Sequence, residues 1–350
     1  MTTIDADAHV IETPETWSLL EGEERRYIPK IVTQVFGEAV RTNFKGRPQA
    51  EYWAINNRMY ARDGNVGLDT PRESREMSDV EARLRHMDEL EVDIQVLYPT
   101  LLLRPIADNS RLELALTRSY NRWLSGIWKA GGGRLRWVAV PPLRSMDKVR
   151  DELGYARDHG ACGVFMRGLE CELPLTDPYF YPVYEIAAEL DMAICIHLGN
   201  GSFEVHDFYS KDTPYTKFKL PTIGAFHSLI MDQTPSKFPA LRWGMVEVSA
   251  NWLPYVVNDL KLRYLNEGRR LPENVLAANN FYVACEVTDD FNYVLPVAGE
   301  DNLIVGTDYG HADSSSEIEA LRKLRDIGGI KASVVAKILD DNPRALYGLS

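Results

Sequence analysis

Eight short runs rich in apolar residues, each separated from the next by a stretch with helical spacing, constrain this chain more than any other feature. They lie at 4–12, 94–100, 135–143, 162–167, 192–199, 241–248, 280–286 and 302–308. A strand that is apolar along its length is buried on both faces, which is the condition of a parallel sheet layered between helices. Between the runs, apolar residues recur at helical intervals, as Val80, Leu84, Met87 and Leu90 do. This predicts helices near 79–92, 112–129, 146–159, 179–190, 222–237, 252–265, 314–326 and 331–340. Eight alternating units favour a closed (β/α)₈ TIM-like barrel over an open doubly wound sheet, and no Gly-x-Gly-x-x-Gly follows any run.

Such a barrel accommodates residues 1–350 as a single domain with an N-terminal insertion subdomain at 13–78. A structureless loop of that length is improbable, so 13–78 is expected to form a subdomain or lid over a site. Within it, 35–44 and 51–55 are expected to pair as a hairpin with Lys45-Gly46-Arg47-Pro48 in the connection. A formal charge of −12 with no Lys/Arg block excludes a nucleic-acid partner. No apolar run is long enough to cross a bilayer, and the first residues carry no basic and apolar leader, so the expectation is no membrane partner and a cytoplasmic location. Cys162, Cys171, Cys195 and Cys285 lack Cys-x-x-Cys spacing and are expected as reduced core thiols.

Active sites in this fold are built at the C-terminal ends of the strands, which gives the strand ends a meaning. Asp7 and His9 close the first run, Tyr98 the second, Arg167 the fourth, His197 the fifth, Glu247 the sixth, Glu286 the seventh and Asp308 the eighth. Alternation along the first strand puts Asp5, Asp7 and His9 on one face. Three ionisable groups turned into a protein interior call for a counter-charge, and a divalent cation provides it. Each residue also has a plainer reading. His197 can be a satisfied core histidine, Glu247 can pair with Arg242 or Arg167, Glu286 can form a rim ion pair, and Asp313 can cap a helix starting near Ser314. His227 reads as a packing histidine, and His86 and His159 as surface residues. Cys195 and His197 share a strand face, which gives poor geometry for a nucleophile–base pair.

These residues resemble the amidohydrolase superfamily, and within it the branch of the aminocarboxymuconate-semialdehyde, γ-resorcylate and carboxyvanillate decarboxylases. The resemblance rests on Asp7-Ala8-His9, on Ile196-His197-Leu198-Gly199 and on Gly306-Thr307-Asp308-Tyr309-Gly310-His311. Tyr98-Pro99-Thr100, Phe238-Pro239-Ala240-Leu241-Arg242, Asn251-Trp252-Leu253-Pro254 and the closing 341–349 support it, so it spans the chain apart from 13–78. It implies that Asp7, His9, His197 and Asp308 hold a divalent metal. Superfamily hydrolases commonly carry His-x-His where this chain has Asp-x-His. Arg167 stands where a metal-bridging Lys would be, and Glu247 stands where related decarboxylases place a histidine.

A set of carboxylates and imidazoles without thiolate suits Zn²⁺, Mn²⁺ or Fe²⁺. The ligand candidates are therefore Asp7, His9, Glu12, His197, Glu247 and Asp308, and the catalytic candidates Asp308, His311 and Arg167. One metal implies non-oxidative decarboxylation or hydrolysis of a small to medium carboxylate-bearing substrate. In that case Arg167 orients the anion and Asp308 or His311 moves the proton. Coordination by Glu12, Glu247 and His311 as well would allow two irons. The resemblance to a nonheme diiron monooxygenase branch of the superfamily then implies hydroxylation of a natural-product intermediate such as a diterpenoid. Phe203, Phe208, Tyr209, Tyr215 and Phe218 in 202–220 are expected to wall a pocket for a partly apolar substrate, and the barrel to form a homodimer.

Overall fold

The computed structural model describes residues 2–35, 49–62, 65–209 and 214–349. Eight parallel strands follow one another around a (β/α)₈ barrel in chain order. They are β1 (Ile4–His9), β2 (Ile94–Tyr98), β3 (Leu135–Ala139), β4 (Ala161–Arg167), β5 (Ala193–His197), β6 (Trp243–Val246), β7 (Phe281–Cys285) and β8 (Leu303–Val305). Their side chains are buried almost throughout, as the runs of apolar residues require. In the β4–β5–β6 ladder His197 lies beside Arg167 on one neighbour and Val246 on the other, so these strands end level with one another.

The circle closes between its first and last strands by a different means. Backbone N–H groups of Thr307 and Asp308 donate to Asp7 O at 3.1 and 2.9 Å, and His9 N donates to Tyr309 O at 2.9 Å. The approach is so close that a Cβ on Gly306 would come within 2.3 Å of the Asp7 Cβ. The ladder between β1 and β2 carries an irregularity between Asp5 and Ala8, beside this seam.

Helices fill the outer layer: α1 (Val80–Glu89), α2 (Ser110–Ala130), α3 (Val149–Asp158), α4 (Tyr181–Glu189), α5 (Leu220–Met231), α6 (Leu253–Asn266), α7 (Phe291–Ala298) and α8 (Ala320–Asp326). Their starts follow local chemistry. Asp79, Asn109 and Asp290 accept backbone N–H groups of the first turns of α1, α2 and α7. The helix expected from 314 starts only at Ala320, because Asp313 instead accepts from the backbone and hydroxyl of Ser315 and holds the chain in a polar turn. The last helical stretch runs on from Ala332 through a wider turn at Lys337–Asp341 to Tyr347, past the expected end at 340. Among the described residues no helix is long and apolar enough to cross a membrane.

The segment 13–78 carries a three-stranded antiparallel sheet of Lys30–Val35, Gln49–Ile55 and Arg58–Ala61. Residues 36–48, including the expected connection at 45–48, lie outside the described residues. The described turn is Asn56-Asn57, whose two residues have φ of 47° and 63°, the left-handed backbone a two-residue hairpin needs. Trp53, Ile55 and Tyr60 are buried in the main core. The Tyr60 hydroxyl donates to Pro105 O at 2.7 Å, Arg58 binds Asp207 through two hydrogen bonds, and Gly67 N donates to Gly310 O. The sheet is thereby fastened to the loops at the C-terminal mouth of the barrel.

Candidate metal centre

At that mouth, the ends of β1, β5, β6 and β8 bring six ionisable side chains together in two overlapping groups. Asp7, His9, His197 and Glu247 form one, and His9, Glu247, Asp308 and His311 the other, with ligand atoms in each within 4.8 Å of one another. His9 Nε2 lies 3.5 Å from Asp7 Oδ1, 3.5 Å from Glu247 Oε2 and 3.3 Å from Asp308 Oδ1. His197 Nε2 lies 3.2 Å from Asp7 Oδ1 and 3.3 Å from Glu247 Oε2, and His311 Nδ1 is 2.7 Å from Asp308 Oδ1. None of the six residues is more than 4% exposed.

The far sides of the imidazoles assign their tautomers. His9 Nδ1 is 2.9 Å from Pro99 O and His197 Nδ1 is 2.9 Å from Leu198 O, so each Nδ1–H donates to a carbonyl and each Nε2 turns a lone pair to the cluster. The Thr100 hydroxyl donates to Val10 O, which makes it the acceptor for His311 Nε2–H at 2.8 Å and leaves the His311 Nδ1 lone pair facing Asp308. Lone pairs therefore point at carboxylate oxygens. His9 Nε2, Glu247 Oε2, Asp308 Oδ1 and His311 Nδ1 are all buried without a hydrogen-bond partner. Orphaned acceptors of this kind are costly unless a cation sits among them, and the oxygen and imidazole donors suit a hard or borderline divalent metal. The residues fit such an ion.

The electrostatics agree with the geometry. Burial, reinforced by neighbouring carboxylates, pushes the Glu247 and Asp308 carboxyls well above their ordinary range. Burial and the neighbouring imidazoles push His9 well below its usual value, and burial lowers His311 to about 4. Burial and crowding of this kind raise the cost of charged carboxylates, a cost that a cation would offset. Glu247 and Asp308 both hold left-handed backbones, with φ of 60° and 51°, which aims their side chains inward at some conformational cost.

Two further hydroxyls complete the wall. The Ser315 hydroxyl, which donates to Asp313 Oδ1, lies 3.1 Å from Glu247 Oε1, and Ser316 donates to Asp308 Oδ2 at 2.5 Å. Sequence reasoning passed over both, since serines in a polar turn carry no distinguishing signal. A cavity of about 10 Å³ lies between Asp7, Glu247, Asp308, Ser315, Cys285 and Glu286, space for about one water.

Two of the expected ligand and catalytic residues, Glu12 and Arg167, stand apart from the cluster. Both Glu12 oxygens accept backbone N–H groups, from Thr100 at 3.0 Å and Leu101 at 2.9 Å, and burial raises this carboxyl to about 7. Arg167 spends its guanidinium on Glu170 and on the carbonyls of Leu102 and Arg104, beside a cavity of about 30 Å³ lined in part by Glu113, Arg144 and Phe165. Glu286 lies 3.7 Å from Lys219 at the rim. Glu247 pairs with neither Arg242 nor Arg167; Arg242 binds Asp191. His86 is half-buried against the Tyr309 hydroxyl at 2.6 Å, so it is no surface residue, and His227 pairs with Asp259. Of the expected aromatic wall, Phe203 lies under Arg58, whereas Phe208 is exposed.

A family model described as Amidohydrolase matches residues 4–349. No curated protein matches the chain. Among solved structures, an amidohydrolase from Mycobacterium avium subsp. paratuberculosis is 18% identical over 99% of both chains, with a TM-score of 0.77. A 2,6-dihydroxybenzoate decarboxylase complexed with 2,6-dihydroxybenzoate is 17% identical over 100% of both, with a TM-score of 0.65. A 5-carboxyvanillate decarboxylase from Novosphingobium aromaticivorans with bound manganese is 19% identical, covering 80% of this chain and 86% of its own, with a TM-score of 0.63. At these identities the likeness establishes the shared fold.

Proposed function

The chain belongs to the amidohydrolase family, and from that premise we propose that it is a metal-dependent enzyme acting on a small to medium carboxylate-bearing organic substrate by non-oxidative decarboxylation or hydrolysis. The observation that carries this reading is the convergence of orphaned, buried His and carboxylate atoms on one point at the mouth of the barrel. Asp7, His9, His197 and Asp308 would hold the ion, with Glu247 completing the set. One divalent cation supplies Lewis acidity toward a carboxylate or a water, and two irons would supply oxygen activation. The similarity to decarboxylases, one with 2,6-dihydroxybenzoate and one with manganese bound, supports the substrate class.

The chain's own groups supply positioning and proton movement. Asp308 and His311, 2.7 Å apart, form a pair across which a proton passes, with Asp308 as base in hydrolysis and either as donor to carbon in decarboxylation. Arg167 is fully engaged with Glu170 and the 102–104 carbonyls, so it orients the substrate by fixing that loop. Segment 13–78 acts as a lid. The buried centre admits substrate only when covering segments part, and this sheet is fastened across the mouth by Arg58–Asp207 and Gly67–Gly310.

The alternative reading, a nonheme diiron monooxygenase, would need a second ion held by the same side chains. The two ligand groups share His9 and Glu247, and three carboxylates crowd the centre, a charge that a single divalent ion leaves uncompensated. Metal analysis with anaerobic turnover decides between them. Decarboxylation predicts one metal per chain and CO₂ released from a 2,6-dihydroxybenzoate-like probe without O₂, and hydrolysis predicts an acid released from an aryl ester or amide probe without O₂. Two irons per chain and an absolute need for O₂ would replace it with oxygenation.

A further inference from the structure

Beneath the ligands a buried chain of polar side chains crosses the seam between β1 and β8. Asp5, 0% exposed, accepts from Thr307 N at 2.9 Å, from the Thr307 hydroxyl at 2.6 Å and from Gln95 Nε2 at 2.9 Å. Gln95 Oε1 in turn accepts from Arg83 Nε at 2.7 Å. The Arg83 guanidinium lies 3.5 Å over the Tyr309 ring and donates to His9 O at 3.2 Å. The Thr307 hydroxyl also accepts Tyr309 N at 3.2 Å, so both neighbours of Asp308 are tied to one oxygen. Four buried side chains thus link the residues flanking Asp7, His9 and Asp308, where no regular ladder joins the strands.

We propose that Asp5 and Thr307 form a clamp that presets the spacing of Asp7, His9 and Asp308, making Thr307 a positioning residue for the metal centre. The clamp rests on the metal reading above and adds to it a cause for the ligands' arrangement. Asp308 sits in a left-handed backbone that isolated chains disfavour, and the Thr307 hydroxyl, fixed at both ends, holds the turn in that conformation. Side chains that orient ligands without touching the ion commonly alter metal affinity by about 10- to 100-fold.

The test compares Thr307→Val, which keeps the shape but lacks the hydroxyl, with Thr307→Ser, which keeps the hydroxyl. Affinity for Zn²⁺ and Mn²⁺ is measured on the full chain by competition with a chromogenic chelator, together with melting of the metal-free protein. The expected result is that Thr307→Val binds about tenfold more weakly or worse, while Thr307→Ser stays within about threefold of wild type, with similar metal-free melting for all three. Wild-type affinity in Thr307→Val overturns the clamp. So does a fall in Thr307→Val that Thr307→Ser shares, because shape rather than the hydroxyl would then matter. A wild-type chain that takes up no metal would overturn the metal reading itself, an outcome distinct from either of these.

Discussion

Two clusters of ionisable residues lie at neighbouring strand ends of the barrel mouth, with Arg167 beside His197 in the ladder, and they are built on opposite principles. Around Arg167, every strong group has a partner: Glu170 takes two edges of the guanidinium, two carbonyls take the rest, and Glu113 accepts Arg144 N. Around His9, lone pairs and carboxylate oxygens face one another with four atoms unpartnered. The more deeply buried cluster is therefore the less satisfied one. A cluster that closes on itself contributes to structure, whereas one whose acceptors converge without donors is shaped for an ion from outside.

Three substitutions test this contrast. Asp308→Asn is expected to abolish turnover and cut metal content below one ion per chain, while the metal-free protein melts no lower than wild type, because one of three mutually repelling carboxylates is gone. Retained activity, or a large loss of metal-free stability, would place Asp308 in the structural class. Arg167→Gln is expected to cost about 3–5 kcal/mol in urea unfolding, since it leaves Glu170 buried and unpaired, with metal content unchanged. A variant as stable as wild type would erase the distinction between the clusters.

The smallest effect concerns Glu113, whose carboxyl burial raises from about 4.5 to about 7, partly offset by the N–H of Arg144. Its folded-state value is raised, so its contribution is full below about pH 4.5 and is lost as pH climbs through about 7. Wild-type stability should decline across that window by on the order of 1 kcal/mol more than that of Glu113→Gln, as read from unfolding at stepped pH. Parallel profiles would show that this carboxyl titrates normally.

The same contrast explains what was legible in the sequence. Strand ends were visible because apolar runs stop at Asp7, His9, His197, Glu247 and Asp308, and the fold gives strand ends a common destination. The rule that found these also selected Arg167, and Glu12 was added as a ligand within reach of a second ion; the surroundings of both differ for local reasons. Glu170 stands three residues from Arg167, and the backbone at 100–101 turns two N–H groups onto Glu12. Neither partnership has a periodic signature. Ser315 and Ser316 escaped notice because Asp313 holds their segment in a turn where helical spacing alone predicted a helix. The left-handed backbones of Glu247 and Asp308 were equally invisible, since packing rather than residue preference imposes them.

The clamp between Asp5 and Thr307 joins residues 302 positions apart. During synthesis, a ribosome has released Asp7, His9, His197 and Glu247 long before Asp308 emerges. Until Asp308 arrives, the cluster lacks the carboxylate that the seam sets beside His9. Contacts of such sequence separation form late and slowly, so capture of an ion in the final geometry would be among the last events in the folding of a new chain. Metal identity would accordingly be decided after release from the ribosome, by the ion pool that the completed barrel meets.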